Sequence, residues 1–269
     1  MRSSRVLRKL RAHQNANCLK ANIGDAQATE IACMSGFDCL WIDREHLAQD
    51  WSVLNAQILA AKAHDVDVMV RVPRGSYSDY IKPLEMDATG IMVPHIMSVE
   101  DARQVIKWTR FHPLGLRPID GGSADGAYTR MDFNEYIQQA NAQRFVVLQI
   151  EDPEPLQELD AIATLPGYDM LFFGPGDFSQ AIGAPGEWNH PKLIEARKLV
   201  AQTARKHGKF AATSGSINSL DELLDIGYQF VNIGADVVGL SQYCDGLIQR
   251  FNNSSASRPT NSQAPGKPY

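Results

Sequence analysis

Eight short apolar runs recur along the chain, and longer segments of helical period separate them. The runs are Cys18–Ile23, Phe37–Asp43, Asp67–Val72, Gly90–Val93, Arg144–Ile150, Met170–Phe173, Phe210–Thr213 and Phe230–Ile233. Several are nearly continuously apolar, most clearly Phe145-Val-Val-Leu-Gln-Ile150 and Asp67-Val-Met-Val-Arg-Val72. Strands buried on both faces read this way, as in a parallel sheet covered by helices. Between the runs, Trp51–His64 places Val53, Leu54, Ile58 and Ala61 on one helical face. Ser98–Thr109 opens on a serine with Asp101 three residues on, which resembles a capping box. Asn134–Ala142 is short, and Pro191–His207 opens on proline and stops at Gly208. Ser219–Ile226 closes at Gly227, and Asp236–Phe251 is the last long helix. Eight strands, each followed by a helix candidate, predict a single (β/α)8 barrel, a fold of about 250 residues. An open doubly wound sheet is the alternative, but no G-x-G-x-x-G turn is present to support it.

The barrel is expected over residues 1–251, and the polar, low-complexity stretch 252–269 reads as a disordered tail. Phe111–Arg130 is long and rich in Gly and Pro, as expected of a functional loop, a lid or an interface segment. Residues 2–13 are basic, lack an apolar core and do not read as a secretory signal. They fit a transit peptide or, more simply, an amphipathic helix carrying Val6, Leu7 and Leu10. A net charge of −5 supplies no basic face for phosphates, so nucleic acid is not the expected partner. No apolar run reaches the roughly 18 residues of a membrane span. Cys18, Cys33, Cys39 and Cys244 form no C-x-x-C pair and read as reduced thiols of a cytoplasmic protein.

A barrel of this type carries its active site at the C-terminal ends of the strands. The polar residues expected there are Asp43-Arg-Glu-His46, Arg71, Pro94-His95, Gln149-Ile-Glu151, Gly174-Pro-Gly-Asp177 and Thr213–Ser216. Glu151 and Asp177 follow adjacent strands and could face one hard cation, leaving open positions suited to Mg²⁺ or Mn²⁺. They could equally be loop acids, with Asp177 as a helix N-cap. Arg71 interrupts an apolar strand and must find an anion, either a carboxylate such as Asp43 or an anionic ligand. His46 lies near Asp43 and Glu45, and a neighbouring carboxylate can tune an imidazole as a base. His95 is the weaker candidate, with more core character. Schiff-base chemistry is disfavoured, because Lys20 is the only lysine within a strand candidate.

The stretches Gly36–His46, Val70–Pro73, Ile91–Pro94, Gln149–Glu151 and Phe173–Ser179 together resemble the HpcH/HpaI aldolase family. The resemblance runs from about Asn17 to Phe251. It implies a (β/α)8 barrel with an open divalent metal site, taking Mg²⁺ or Mn²⁺ with Co²⁺ as a further option. It implies class II type aldol cleavage of a 4-hydroxy-2-oxo acid, such as a 2-keto-3-deoxy sugar acid, to pyruvate and an aldehyde. By the same resemblance Glu151 and Asp177 bind the metal, Arg71 contacts the pyruvate oxygen, and His46, oriented by Asp43, is the base. Gly176 and Asp177 belong to the loop that holds the pyruvate carboxylate, and Gln149 neighbours the metal. A homo-oligomer is implied, a hexamer with the last helix exchanged between subunits. Arg44, and Gly126 within Ala124–Tyr128, depart from the family pattern and bear on the aldehyde partner. A 2-oxo diacid decarboxylase, a CoA-ester lyase or a non-catalytic 2-oxo acid binder would use the same pocket.

Overall fold

The computed structural model describes residues 1–254. Strands β1 (Ala16–Ala21), β2 (Cys39–Asp43), β3 (Asp67–Arg71), β4 (Gly90–Val93), β5 (Phe145–Ile150), β6 (Met170–Phe173), β7 (Phe210–Ser214) and β8 (Phe230–Ala235) close a parallel barrel in sequence order. Around them lie helices α1 (Arg5–Arg11), α2 (Ala26–Met34), α3 (Trp51–Ala63), α4 (Tyr77–Glu85), α5 (Val99–Thr109) and α6 (Phe133–Gln143). The set continues with α7 (Leu159–Thr164), α8 (Pro175–Ala181), α9 (Pro191–Lys206), α10 (Leu220–Ile226) and α11 (Asp236–Asn253). The expected (β/α)8 barrel is the fold found. The first strand begins two residues earlier than its apolar run, because Ala16 pairs with Phe230 across the closing seam. It also ends earlier, since the N–H groups of Asn22 and Ile23 donate to the Asp236 carboxylate at 2.8 and 3.0 Å and leave the ladder. The last helix runs to Asn253, two residues into the stretch read as tail. Residues 255–269 of that stretch lie outside the described residues.

Alternate strand residues point inward and outward, and each set has its own core. Outward residues such as Leu40, Ile42, Val68, Val70, Leu148 and Leu171 pack against the helices. Inward residues fill the barrel, among them Cys18, Cys39, Trp41, Met69, Met92, Phe145, Val147, Met170, Phe172, Ala212 and Phe230. Both faces are therefore buried, which is why the strands read as unbroken apolar runs. Gly90 makes room for one of the larger inward rings: a Cβ there would fall 2.1 Å from Phe145.

The basic N-terminal segment is α1, and it closes the bottom of the barrel. Val6, Leu7 and Leu10 join the inward core. Ser4 caps the helix and donates to Asp67 Oδ2 at 2.6 Å, and the Val6 N–H donates to the same oxygen at 2.9 Å. Lys9 and Arg5 pair with Asp38 at 2.7 and 3.1 Å. The positive charge of the segment thus answers acids on the lower rim.

The 111–130 stretch also lies at this lower end. Arg117 and Tyr136 both meet the buried Asp125 at 2.7 Å, and Ala124–Arg130 border Met1, Lys62 and Asp87. The stretch therefore stands away from the strand C-termini. At the other extreme of packing, α11 buries none of its side chains and exposes Val238, Leu240, Tyr243, Leu247, Ile248 and Phe251. No described helix is long and apolar enough to cross a membrane.

Because Leu10 is fully buried between helix and barrel floor, Leu10→Ala should cost roughly 2–5 kcal/mol in denaturant unfolding. A loss below about 1 kcal/mol would mean that α1 is not part of the core.

Candidate active site

The upper inward layer is polar. β2 and β3 are in register at Asp43 and Arg71. Arg71 Nε donates to Asp43 Oδ1 at 3.0 Å and Nη2 to Oδ2 at 2.5 Å, a bidentate fork. Its Nη1 lies 3.1 Å from Glu45 Oε2. Lys20 on β1 approaches Asp43 Oδ2 at 2.9 Å. Both cations lie over the Trp41 ring, 4.7 Å away for Lys20 and 4.9 Å for Arg71. Burial alone would raise the Asp43 pKa, but hydrogen bonds and charge from Arg71 and Lys20 hold it well below the usual carboxylate range.

Asp43 is thus the carboxylate partner that Arg71 requires. It does not orient the His46 ring, contrary to expectation. Its oxygens are taken by Arg71, Lys20 and the backbone N–H groups of Glu45 and His46, at 3.0 and 3.4 Å. The His46 imidazole is more than half exposed, and its nearest acid is Glu45, 3.6 Å away. Arg44 does not pair with Glu45. Its guanidinium stacks on Trp51 at 3.9 Å and Nη1 donates to the Gln49 carbonyl, which pins the loop after β2. Lys20, ion-paired to Asp43, is poorly placed to act as an imine-forming amine.

Across the mouth, β5 delivers Gln149 and, just past its end, Glu151. Glu151 has no solvent exposure. One carboxylate oxygen accepts the His95 N–H at 3.0 Å and the other accepts from the Gln149 amide. Burial is the main force raising its pKa to about 8, and the nearby Asp177 adds to it. The His95 N–H, its ring and Arg71 act in the opposite direction. Asp177 lies in the first turn of α8. The N-cap there is Gly174, so Asp177 does not serve as the cap. Gly174 is required by close approach: a Cβ would sit 2.5 Å from Glu151 Oε2 and 2.9 Å from Gln149 Nε2. Gly176 is exposed with open space around it.

His95, the weaker candidate in the sequence, is central here. It adopts φ of 49°, an uncommon backbone for a residue with a side chain. That conformation aims its N–H at Glu151 while its ring Nδ1 meets Asp152 at 2.9 Å. Glu45 lies 3.8 Å from Nε2. Burial works against the charged ring, yet Asp152, Glu151 and Glu45 together raise its pKa. Asp152 is not among the residues expected from the sequence, and Gly174 enters there only as part of the Gly174–Asp177 stretch after the sixth strand.

Glu151 and Asp177 suit a hard cation. A buried carboxylate that must otherwise hold a proton gains most from a nearby positive charge, and both donors are oxygens. Among the described residues no group of three or more His, Cys, Asp or Glu is placed to hold a metal. Two acids alone would leave most positions around a cation open to water and substrate.

The barrel with this mouth of acids, arginine and histidine places the chain in a definite class: it belongs to the HpcH/HpaI aldolase/citrate lyase family, which it matches over residues 21–242. It is 32% identical to the 4-hydroxy-2-oxovalerate aldolase of Rhodococcus jostii (strain RHA1), over 85% of this chain and 88% of that protein. It is 31% identical to the 2-keto-3-deoxy-L-rhamnonate aldolase of Klebsiella pneumoniae, over 84% and 85%. The crystal structure of an HpcH/HpaI aldolase from Desulfitobacterium hafniense DCB-2 superposes with a TM-score of 0.87. That pair is 25% identical, over 93% of this chain and 97% of the other.

The pKa of Glu151 is about 8 in the fold against 4.5 for a free side chain. Its protonation therefore stabilises the metal-free fold fully below the unfolded value, and that stability is lost as pH rises through about 8. In the presence of chelator, the melting temperature of the wild type should fall across this window. Glu151→Gln, neutral throughout, should lack that component. Identical pH profiles for the two proteins would contradict a buried, proton-holding Glu151.

Proposed function

We propose that this chain is a divalent-metal-dependent aldolase that cleaves a 4-hydroxy-2-oxo acid to pyruvate and an aldehyde. The observation that carries the reading is the fully buried Glu151, with Asp177 close enough to disfavour its charge, opposite the Arg71 cluster in one barrel mouth. A divalent cation held by Glu151 and Asp177 would supply Lewis-acid stabilisation of the negative charge that grows on the 2-oxo oxygen. The residues of the chain account for the rest. Arg71, fixed by Asp43 and Glu45, keeps a rigid cationic face toward the same oxygen, so little reorganisation accompanies the charge as it develops. The free N–H groups in the first turn of α8, at Gly176 and Asp177, suit the pyruvate carboxylate. Gln149 positions Glu151 and leaves its own Oε1 buried without a protein partner.

The reaction needs a group to take the 4-hydroxyl proton. His95 is unsuited, since three acids favour its protonated form. His46 is open to solvent and flanked by Glu45, which we assign the role first expected of Asp43. Loss of the proton to His46 lets the C3–C4 bond break. Its electron pair moves into the pyruvate enolate, and the aldehyde departs. Proton return to C3 gives pyruvate. His95 is a positioning residue: its N–H and ring hold the Glu151 carboxylate.

We further infer that the exposed apolar face of α11 is covered by another copy of the chain, as the helix exchange implied by the family resemblance would do, in a hexamer. The free cysteines, three of them buried, fit a reducing cytoplasm.

Pyruvate release from 2-keto-3-deoxy sugar acids should vanish on exhaustive EDTA treatment and return with Mg²⁺, Mn²⁺ or Co²⁺. Activity indifferent to metal removal would reject the site. Arg71→Lys keeps a charge for Asp43 but loses the fork, and should lower kcat about 100-fold or more. Lys62→Ala, at the far end of the barrel, should change it less than about twofold. Equal effects would remove Arg71 from the mechanism. In light scattering, the Leu240→Asp and Ile248→Asp double variant should yield a smaller assembly than wild type. An unchanged mass would mean that α11 is not an interface.

A further inference from the structure

Among the described residues, the fully buried arginines have close anionic partners. Arg71 is paired with Asp43, Arg110 with Asp169, Arg117 with Asp125 and Arg144 with Asp87. Arg197, in the second turn of α9, is different. Its side chain is only 13% exposed, and the nearest carboxylate oxygen, on Glu222, is 4.0 Å away on a side chain that is 64% exposed. Among the described residues the guanidinium donates no hydrogen bond, and its Nε is buried without a partner. The backbone there is held, since Tyr228 Oη donates to the Arg197 carbonyl at 2.7 Å. Glu222 at 4.0 Å and mostly in water compensates this charge weakly, so a further anion reaching the guanidinium would be stabilised.

Arg197 and its distant partner Glu222 line a cavity of about 400 Å³ together with Pro175, Trp188, Asn189, Ser214 and Ser216. Its walls offer the indole ring, an amide and hydroxyl groups, with Ser219 beside Ser216 at 3.3 Å, while the one lining carboxylate, Glu222, is mostly in water. The cavity borders the active-site rim. Pro175 opens α8, two residues before Asp177. Ser214 ends β7 on the inward side, next to Thr213, whose hydroxyl donates to the Phe173 carbonyl at 2.9 Å. A substrate anchored by its pyruvate end near Glu151 and Asp177 would extend its other end toward this part of the rim.

We propose that this cavity binds an anionic group, a carboxylate or a phosphate, at the aldehyde end of the substrate. Arg197 is then a specificity-determining residue, and the preferred substrate is acidic at both ends. The proposal rests on the aldolase reading for its substrate, but the anion site itself can be tested without turnover.

The test couples pyruvate with succinic semialdehyde, glyceraldehyde 3-phosphate and butanal, using wild type, Arg197→Met and Arg197→Lys with metal present. Arg197→Met should raise KM for one of the two anionic aldehydes about 10-fold or more, the worth of a hydrogen bond to a charged group. Butanal should change less than about twofold, and Arg197→Lys should recover part of the loss. Which anionic aldehyde responds tells carboxylate from phosphate. An equal effect on all three, or none, overturns the proposal. In parallel, succinate and inorganic phosphate are titrated calorimetrically into wild type and Arg197→Met. Binding of either that is lost in the variant supports the site; no binding to wild type, or unchanged binding in the variant, overturns it. Should no aldehyde couple with pyruvate, the aldolase reading fails by itself, and the titration still decides the anion site.

Discussion

Glu151 carries a carboxylate that water does not reach. It is held by one backbone N–H, one amide and the flank of an imidazole. In a low-dielectric setting this is too little to keep it ionised, so its charge depends on what else enters the mouth. Much of the upper barrel is arranged around this constraint. Gly174 has no side chain because Glu151 occupies the space. His95 takes an uncommon backbone conformation to deliver its N–H. Asp177 approaches from the next strand, adding a second negative charge where the first is already unwelcome. Such an arrangement is unfavourable alone and would become favourable around a cation.

The opposite wall has the reverse balance. Asp43 is oversupplied with positive charge, from Arg71 and Lys20, and is held ionised. Glu45 links the two sides: it meets Arg71 at 3.1 Å and lies 3.8 Å from His95. The mouth thus runs from a cation-rich side at β1–β3 to a proton-holding side at β5–β6. A substrate whose charge shifts toward one oxygen during reaction would feel that gradient, and the groups that create it are fixed before it arrives.

The barrel was legible because strand burial on both faces leaves a direct trace in the apolar runs. Their ends told where the polar mouth would be, and Arg71, Gln149, Glu151 and Asp177 all come from such ends. What sequence spacing does not carry is which groups pair across the mouth. Asp43 lies three residues from His46, yet the barrel register sets it against Arg71, 28 residues on. His95 follows an apolar strand and a proline, so it read as core; only the fold brings Glu45, Glu151 and Asp152 around it. The 111–130 stretch was identifiable as a long loop, but the end of the barrel it occupies is decided by its anchor, the buried Arg117–Asp125–Tyr136 cluster. Arg197 gave no signal at all, being a cation in a helix of ordinary amphipathic pattern.

The floor of the barrel has a consequence for how the chain is assembled during synthesis. α1 precedes its anchoring acids, Asp38 and Asp67, along the chain, and the inward core it covers includes Phe230 of the final strand. A basic, amphipathic segment must therefore wait for its full core until β8 has been made. Its Lys9 and Arg5 pair with Asp38 on the lower rim, so a segment made before the strands it covers is among the last to be locked in place.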